Sequence, residues 1–252
     1  MPEIFGVLTF GRVSSCVGFK TTQFEVMMSN NVEEKAAADR QPKRIVARRP
    51  QRKPGQVRFR KLLDALDELL ATSNVQDIGL YQIAAKAKVP NASVYHFFPS
   101  TEAALLALAE VHHDALLELS KLPLEVRPAR WQDLFRLKVT SAAQYHNNHP
   151  AALRLFLGAN ISLEVKTADI SQLHRLVDGR SQLLSYYFHM PSVPDWERRL
   201  ATYFSMIDGV FSLSYSEHGY IRDDYIAEAH LAGVAYLRCY LPEILMPREQ
   251  SE

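Results

Sequence analysis

The chain has 252 residues and a formal net charge of +1, with 47% hydrophobic and 23% charged residues. This composition is that of a soluble globular protein with one or two domains, and it excludes a fibrous or wholly disordered chain. No apolar stretch approaches the roughly 18 residues that a membrane-spanning helix needs, so we expect no membrane partner.

Residues 1–55 are predicted to form a flexible, basic N-terminal extension. They show no sustained helical period, and they end in RRPQRKPGQ, which has the arginine, proline and glycine content of a mobile arm. The apolar run near the start is short and no Lys or Arg precedes it, so we expect no signal peptide.

Positive charge is concentrated where this extension meets the first predicted helix. Between Gln41 and Leu63 the chain has no acidic residue but nine basic ones, which are Lys43, Arg44, Arg48, Arg49, Arg52, Lys53, Arg58, Arg60 and Lys61. In a nearly neutral chain such a block indicates a polyanion partner, although a solubilising tail is an equally good interpretation of a bare basic segment.

Four helices are predicted after the extension. From Val57, apolar residues at spacings of three and four predict an amphipathic helix, and a second helix follows over Leu80 to Lys88. A third runs from Pro90 to Phe98, since proline suits the first turn of a helix. Ser100 is predicted to cap the fourth, TEAALLALAEVHHDALLEL.

The segment KLPLEVRPAR at 121–130 is predicted to be a domain boundary. Longer helical segments follow it, at about 130–148, 150–158, 169–189, 194–217 and 222–241, separated by proline- and glycine-containing breaks. No stretch shows the period-two alternation of a strand. The sequence therefore predicts an all-α chain.

The second and third helices are joined only by residues 87–90, which is typical of a helix-turn-helix. The stretch IAAKAKVPNASVYHFFPSTEAALL at 83–106 resembles the TetR family of transcriptional regulators. It matches the family's pattern at Ile83, Ala84, Ala87, Val89, Val94, Tyr95, Phe98, Ser100 and Glu102. The resemblance runs from Gln56 to about Leu116.

This resemblance implies a three-helix DNA-binding domain over residues 56–120, with the helix-turn-helix at about 79–98, and a helical ligand-binding and dimerisation domain over residues 121–245. It also implies a cytoplasmic, nucleoid-associated homodimer that binds a palindromic double-stranded DNA operator and responds to a small-molecule effector, as a repressor. The alternative is a helix-turn-helix activator, or a DNA-binding protein without small-molecule control.

One face of the third helix is left for DNA once Val94, Phe97 and Phe98 are assigned to the core. The residues on that face are Asn91, Ala92, Ser93, Tyr95 and His96. Asparagine can read adenine, serine several base edges and alanine a thymine methyl group. The resemblance implies a phosphate contact for Tyr95. Lys86 and Lys88 flank the turn and are candidates for the DNA backbone, as is Arg58 of the basic block. The competing interpretation of Tyr95 and His96 is a plain exposed surface.

Three residues depart from the family's pattern. Lys88 stands where the family usually has the turn glycine, and a left-handed conformation there costs about 1 kcal/mol. Thr101 replaces a common lysine, and Gly79 replaces a common threonine that caps the second helix. We expect the basic extension to offset the lost phosphate contacts.

Two roles are predicted for the C-terminal helices. An apolar pocket is expected among the middle helices, with weak candidates at Phe135, Tyr145, Phe156, His174 and Tyr187. The last two long helices carry apolar stripes suited to a dimer. Those stripes contain Trp196, Leu200, Phe204, Ile207, Val210, Phe211, Tyr225, Ile226, Ala229, Val234, Ala235, Leu237 and Leu241. For both sets the alternative is ordinary intramolecular core.

Enzymatic and metal-binding functions have little support in the sequence. It contains no GxSxG, HExxH, P-loop or GxGxxG motif. Cys16 and Cys239 form no CxxC pair, and His146 and His149 have no further ligand at metal-site spacing. We therefore expect no catalytic residue, no metal and no cofactor.

Overall fold

The computed structural model describes residues 46–158 and 163–249, with only the backbone for residues 163–171. In this part of the chain there are nine α-helices. They are α1 (Lys53–Thr72), α2 (Leu80–Ala87), α3 (Asn91–Phe97), α4 (Thr101–Lys121), α5 (Trp131–Asn148), α6 (Pro150–Leu157), α7 (Leu163–Tyr187), α8 (Trp196–His218) and α9 (Asp223–Leu237). The described residues contain no strand beyond a single bridge between Phe188 and Pro247. The prediction of an all-α chain is confirmed.

The predicted N-terminal extension lies mostly outside the described residues, since these begin at position 46. Helix α1 starts at Lys53, four residues before the predicted start at Val57. Pro54 explains the earlier start, because a proline in the first turn lacks only an N–H that would have no partner inside the helix.

The described helices bury two hydrophobic clusters. The first is built mainly by α1 to α4, and Ala151 and Leu155 of α6 also belong to it. The second is built by α5 to α9, and the ring of Phe156 packs against both clusters. Helix α6 therefore joins the two cores, and the domain bounds of 56–120 and 121–245 stay a prediction.

Helix α4 extends from the first cluster towards the second. The Ser100 hydroxyl accepts a hydrogen bond from the Ala103 N–H at 3.2 Å, which confirms the predicted cap. At the other end, the ammonium group of Lys138 on α5 donates to the carbonyl oxygens of Leu119, at 2.7 Å, and of Leu122. A cation at these carbonyls also complements the helix dipole, so Lys138 fastens α5 to the end of α4.

A buried histidine connects α1, α4 and α5. His112 Nε2 lies 2.9 Å from Asp67 Oδ1 on α1, and His112 Nδ1 lies 2.8 Å from the Tyr145 hydroxyl on α5. Both ring nitrogens thus have a partner, as is usual for a buried polar side chain. This contact ties the first cluster to the helices that follow it.

Helices α8 and α9 approach each other very closely at Gly233. A Cβ at this position would overlap the aromatic ring of Tyr203 on α8, so only glycine fits here without a shift of the ring. None of the described helices is long and apolar enough to cross a membrane.

Candidate functional site

The turn between α2 and α3 is closed by two backbone hydrogen bonds. The Lys88 N–H donates to Ala85 O at 3.2 Å, and the Val89 N–H donates to Ala84 O at 3.1 Å. This pairing is the Schellman motif, which needs a left-handed residue at the position that Lys88 occupies. Lys88 has φ 55° and ψ 44°, so it adopts the conformation that the family's glycine would take.

Helix α3 is held by one apolar face. Val94, Phe97 and Phe98 are buried. The Phe59 ring on α1 lies 5.7 Å from the Phe97 ring and 5.0 Å from the Phe98 ring. Aromatic contacts of this kind add to the stabilisation from burial, and they fix a helix too short to be stable alone.

The opposite face of α3 carries most of the residues predicted to contact DNA. Asn91, Ala92, Tyr95 and His96 are exposed, and Tyr95 is 58% exposed. Ser93 is only half-buried, and its backbone N–H donates to Pro90 O at 2.9 Å. These five side chains therefore lie within about one and a half turns of α3, and Ser93 is the one nearest to the core.

The three predicted cations differ in their surroundings. All three are exposed, but Lys86 Nζ lies 2.7 Å from Glu68 Oε2 on α1, and this pair reduces the charge that Lys86 presents. Lys88 and Arg58 form no ion pair with any described residue. Sequence reasoning did not single out Tyr81, which is 65% exposed in the first turn of α2. Its exposure follows from packing, and no motif in the sequence indicated it.

Part of the basic block lies beside the end of α3. The backbone N–H of Arg48 donates to Phe97 O at 2.7 Å, so the chain preceding α1 contacts the last residue of this helix. The guanidinium of Arg49 forms an ion pair with Glu110 of α4. Arg48 and Arg52 are exposed, and the backbone of Arg48 brings one of these positive charges to the end of α3.

Gly79 precedes the first residue of α2 and provides no side-chain cap for this helix. The Gln82 side chain instead reaches back and accepts a hydrogen bond from the Gly79 N–H at 3.1 Å. This contact is one half of a capping box, and it satisfies the backbone N–H just before the helix. Gly79 itself has no side chain, so it offers no hydroxyl group where the family commonly has a threonine.

An apolar cavity of about 90 Å³ lies between α4, α5, α7 and α8. This volume is room for several water molecules or for a small organic molecule. Most of the wall is apolar, and its side chains include Leu116, Val139, Ala142, Leu176, Ile207 and Phe211. The polar side chains of the wall determine what the cavity can hold, and they belong to Ser120, Lys138, Ser141, His146, Arg180, Tyr203 and Asp208.

Two cationic side chains lie in this wall. Arg180 of α7 is only 4% exposed, and its Nε and Nη1 atoms have no hydrogen-bond partner among the described residues. Lys138 is 6% exposed, and burial, together with the charge of Arg180, lowers its pKa to about 8. Tyr203 of α8 also lines the cavity, and burial raises its pKa.

None of the five weak ligand candidates lines the cavity. Phe135 is buried beside it, with its ring 4.7 Å from that of Tyr203, and Phe156 packs between the two clusters. Tyr145 contacts His112, and the Tyr187 hydroxyl accepts a hydrogen bond from the Leu124 N–H at 2.7 Å. His174 is exposed on α7. Sequence-based prediction did not identify Arg180, Lys138 and Tyr203 as cavity residues, because they come together from three different helices.

The two histidines near the end of α5 have separate surroundings. The Tyr145 ring stacks on His149 at 4.1 Å between ring centroids, and His149 Nδ1 lies 2.7 Å from Tyr145 O. His146 is buried against the rings of Phe156 and Phe211. Over the described ranges, no group of three or more His, Cys, Asp or Glu side chains could hold a metal ion.

Several solved structures are similar to that of this chain. No protein-family model and no curated protein sequence matches it. A TetR-family regulator from Streptomyces coelicolor is 20% identical, with a TM-score of 0.59 over 73% of this chain and 99% of the other. A putative TetR-family regulator from Mesorhizobium loti is 16% identical, with a TM-score of 0.57 over 75% and 99%. SmeT, the repressor of a multidrug efflux pump in Stenotrophomonas maltophilia, is 16% identical, with a TM-score of 0.54 over 79% and 98%. The chain therefore has the fold of the TetR-family transcriptional regulators.

Proposed function

We propose that this chain is a DNA-binding transcriptional regulator of the TetR type, which reads its operator with α3. One observation carries the proposal: α2 and α3 form a helix-turn-helix with a hydrogen-bonded turn, and α3 has an exposed polar face. Val94, Phe97 and Phe98 hold α3 in the core, and Asn91 and Tyr95 point outward. An outward polar helix of this kind is the element that enters the major groove of DNA.

The outer face divides into residues that read bases and residues that hold the backbone. Asn91, Ala92 and Ser93, in the first turn of α3, are proposed to contact base edges. Tyr95, Lys88 and Arg58 are proposed to contact phosphates, and the exposed arginines before α1 add further charge. Lys86 contributes less, because Glu68 already neutralises part of its charge.

Small-molecule control is proposed to act through α4. This helix starts directly after α3 at the Ser100 cap, and it reaches the cavity with Leu116, Leu119 and Ser120. A ligand that fills the cavity therefore acts on the same rigid helix that supports the DNA-reading face. We propose that the ligand-free form binds the operator in the cytoplasm and represses transcription.

A dimer is proposed because one helix-turn-helix reads only a few base pairs, and two-fold pairing doubles the site. Several apolar side chains predicted for the interface, such as Leu200 and Leu237, are instead buried within the monomer. The stripe on the outward face of α8 and α9 carries Gly209, Leu213 and Leu231, which were not predicted for the interface, and Ala235, which was. We propose that this stripe contacts the second subunit.

Selection of bound fragments from the source genome, followed by titration of the full chain, tests the DNA-binding proposal. Replacing Tyr95 by Phe removes one phosphate hydrogen bond and should weaken binding roughly 2- to 10-fold on every sequence. Replacing Asn91 by Ala should change the preferred base at one position of each half-site.

The matched control is Tyr186→Phe, since Tyr186 is an exposed tyrosine on α7. This variant should bind DNA like the parent chain. If Tyr95→Phe and Asn91→Ala both bind every fragment as the parent does, α3 is not the reading helix. A chain that selects no fragment and shows no salt-dependent affinity for DNA is not a DNA-binding regulator.

A further inference from the structure

Arg180 is buried in a way that is unusual for a guanidinium. Its Nε and Nη1 atoms have no acceptor among the described residues, and no described carboxylate forms an ion pair with it. The guanidinium carbon lies 5.6 Å from the Phe135 ring centroid and 6.0 Å from that of Phe204. Cation–π contacts offset only a small part of the cost of removing a charge from water, so Arg180 in these described surroundings favours the binding of an anion.

Tyr203 adds a second donor without a partner. Its hydroxyl oxygen is buried and makes no hydrogen bond to any described residue, although the ring is packed between Phe135 and Phe204. Both Tyr203 and Arg180 line the same cavity. A buried hydroxyl and a buried guanidinium that face one space can be satisfied together by a single acceptor group.

The other charged groups of the cavity agree with an anion. Lys138 adds a second positive charge, and it keeps one N–H beyond the two that bind Leu119 and Leu122. Asp208 is the carboxylate among the described lining residues, and its side chain is exposed at the rim of the cavity. Among the described lining residues, the buried charges of the wall are therefore the two positive ones of Lys138 and Arg180.

We propose that the effector of this regulator is a small organic carboxylate, with its charged end on Arg180 and Tyr203 and its apolar body along Val139 and Ile207. A guanidinium binds a carboxylate with two parallel hydrogen bonds, and the apolar wall favours a hydrocarbon body over an inorganic anion. This inference rests on the proposed ligand-controlled function.

Matched pairs of probes test the class of ligand: hexanoate against hexanamide, and benzoate against benzamide, with sodium sulfate as the inorganic anion. At ten times its dissociation constant, a bound carboxylate should raise the Tm of the full chain by roughly 3–6 °C. The neutral amides, which have nearly the same shape, should give a much smaller shift. Equal shifts from acid and amide, a shift with sulfate alone, or no shift with either carboxylate would overturn the proposal.

Replacing Arg180 by Met tests the site itself. The variant keeps an unbranched side chain against Phe135 and Phe204, and it should bind carboxylate roughly 10- to 100-fold more weakly. Without ligand, its Tm should equal or exceed that of the parent, because an uncompensated buried charge has been removed. A purely structural Arg180 would instead give a lower Tm, and unchanged carboxylate binding would contradict the site.

Two further variants keep the experiment interpretable. Arg175→Met makes the same change on α7 at an exposed arginine paired with Asp114, and it should leave carboxylate binding unchanged. Tyr203→Phe keeps the ring and removes only the hydroxyl, and it should weaken carboxylate binding roughly 2- to 10-fold. If Arg180→Met does not fold, Tyr203→Phe decides the outcome.

Operator binding with and without hexanoate separates this proposal from the proposed function. The carboxylate should weaken the affinity of the full chain for its selected fragment. If it binds without changing DNA affinity, its role as effector is wrong. If DNA is bound but no carboxylate is, the regulator stands and the anionic class of the effector is wrong.

Discussion

Lys88 is expected to have opposite effects on two properties: it lowers the stability of the fold and raises the affinity for DNA. It occupies the left-handed position of the Schellman turn, with φ 55°, where a side chain is strained and glycine is not. Its exposed ammonium group lies beside the start of α3, where a phosphate contact is proposed. Lys88 therefore destabilises the folded chain through its backbone conformation, but it provides a cation at the turn that is proposed to face DNA.

Replacing Lys88 by Gly should stabilise the chain by about 1 kcal/mol and raise its Tm by about 2–4 °C. The same change should weaken DNA binding and lower the salt slope by about one counterion, because one phosphate contact is lost. Thermal melts and titrations at several salt concentrations measure the two effects.

The variant Lys88→Ala separates strain from charge. It removes the ammonium group but keeps a Cβ at positive φ, so it should lose DNA affinity like the glycine variant without the gain in Tm. Equal melting temperatures for the two variants would show that the left-handed turn is not strained.

Single residues also mark the limit of what the sequence could predict. The outward face of α3 followed from a repeated apolar pattern over adjacent positions, so Asn91 and Tyr95 could be assigned to it. The pairing of Lys86 with Glu68, and the meeting of Arg180 with Tyr203, depend on how helices pack. No local pattern in the chain encodes those contacts.

At the scale of elements, Lys138 fastens α5 to the C-terminal end of α4. Its hydrogen bonds to Leu119 O and Leu122 O satisfy carbonyls that the helix itself leaves without partners. The charge is nevertheless buried beside Arg180, and its pKa falls from 10.5 to about 8. Stability at this junction therefore depends on pH.

Because the folded chain releases this proton at lower pH than the unfolded chain, the unfolded state binds more protons between about pH 8 and 10.5. The contribution of Lys138 to the free energy of unfolding should therefore rise with pH across this window. Urea unfolding of the parent and of Lys138→Met, at pH 7, 8, 9 and 10, measures it.

The difference in unfolding free energy between parent and variant should move in favour of the parent as pH increases, since only the parent carries this group. Other titrating side chains are common to both proteins and cancel in the difference. Parallel pH profiles would contradict a lowered pKa for Lys138.

The helices themselves were largely predictable, because prolines and glycines interrupt the chain between them. Most starts and ends agree with the structure to within a few residues. Helices α1 and α7 begin earlier than predicted, at Lys53 rather than Val57 and at Leu163 rather than near 169. The first turn of α1, KPGQ, lacks the apolar period on which the prediction depended, whereas the first turn of α7 contains Leu163 and Val165.

For the whole molecule, the exposed stripe of α8 and α9 is the surface that we propose for pairing. Leu213 is 51% exposed and Leu231 is 58% exposed. Gly209 and Ala235 are small, so a helix of a second subunit could pack closely against the stripe. The apolar pattern of these helices indicated that both have a buried side. It did not indicate which residues the monomer itself buries, because that depends on the neighbouring helices.

Replacing Leu231 by Glu should convert the proposed dimer to a monomer, because a charge would be buried without a partner in the interface. Operator affinity should fall by more than roughly tenfold, since the two half-sites would then bind separately. Light scattering after size-exclusion chromatography gives the mass, and fluorescence anisotropy gives the DNA affinity.

Leu122→Glu is the control, because Leu122 is 57% exposed but lies after α4, away from the stripe. It should leave both mass and affinity unchanged. A Leu231→Glu protein that keeps the mass of a dimer would place the subunit contact elsewhere.

Gly233 brings α9 against the ring of Tyr203, and that same ring forms part of the cavity wall. A ligand that displaces the ring therefore also pushes on a helix of the proposed subunit contact. Thermodynamic linkage makes such an effect reciprocal, so subunit pairing would change ligand affinity by the same factor by which the ligand changes pairing. The effector concentration needed to release an operator would then depend on how much of the regulator the cell contains.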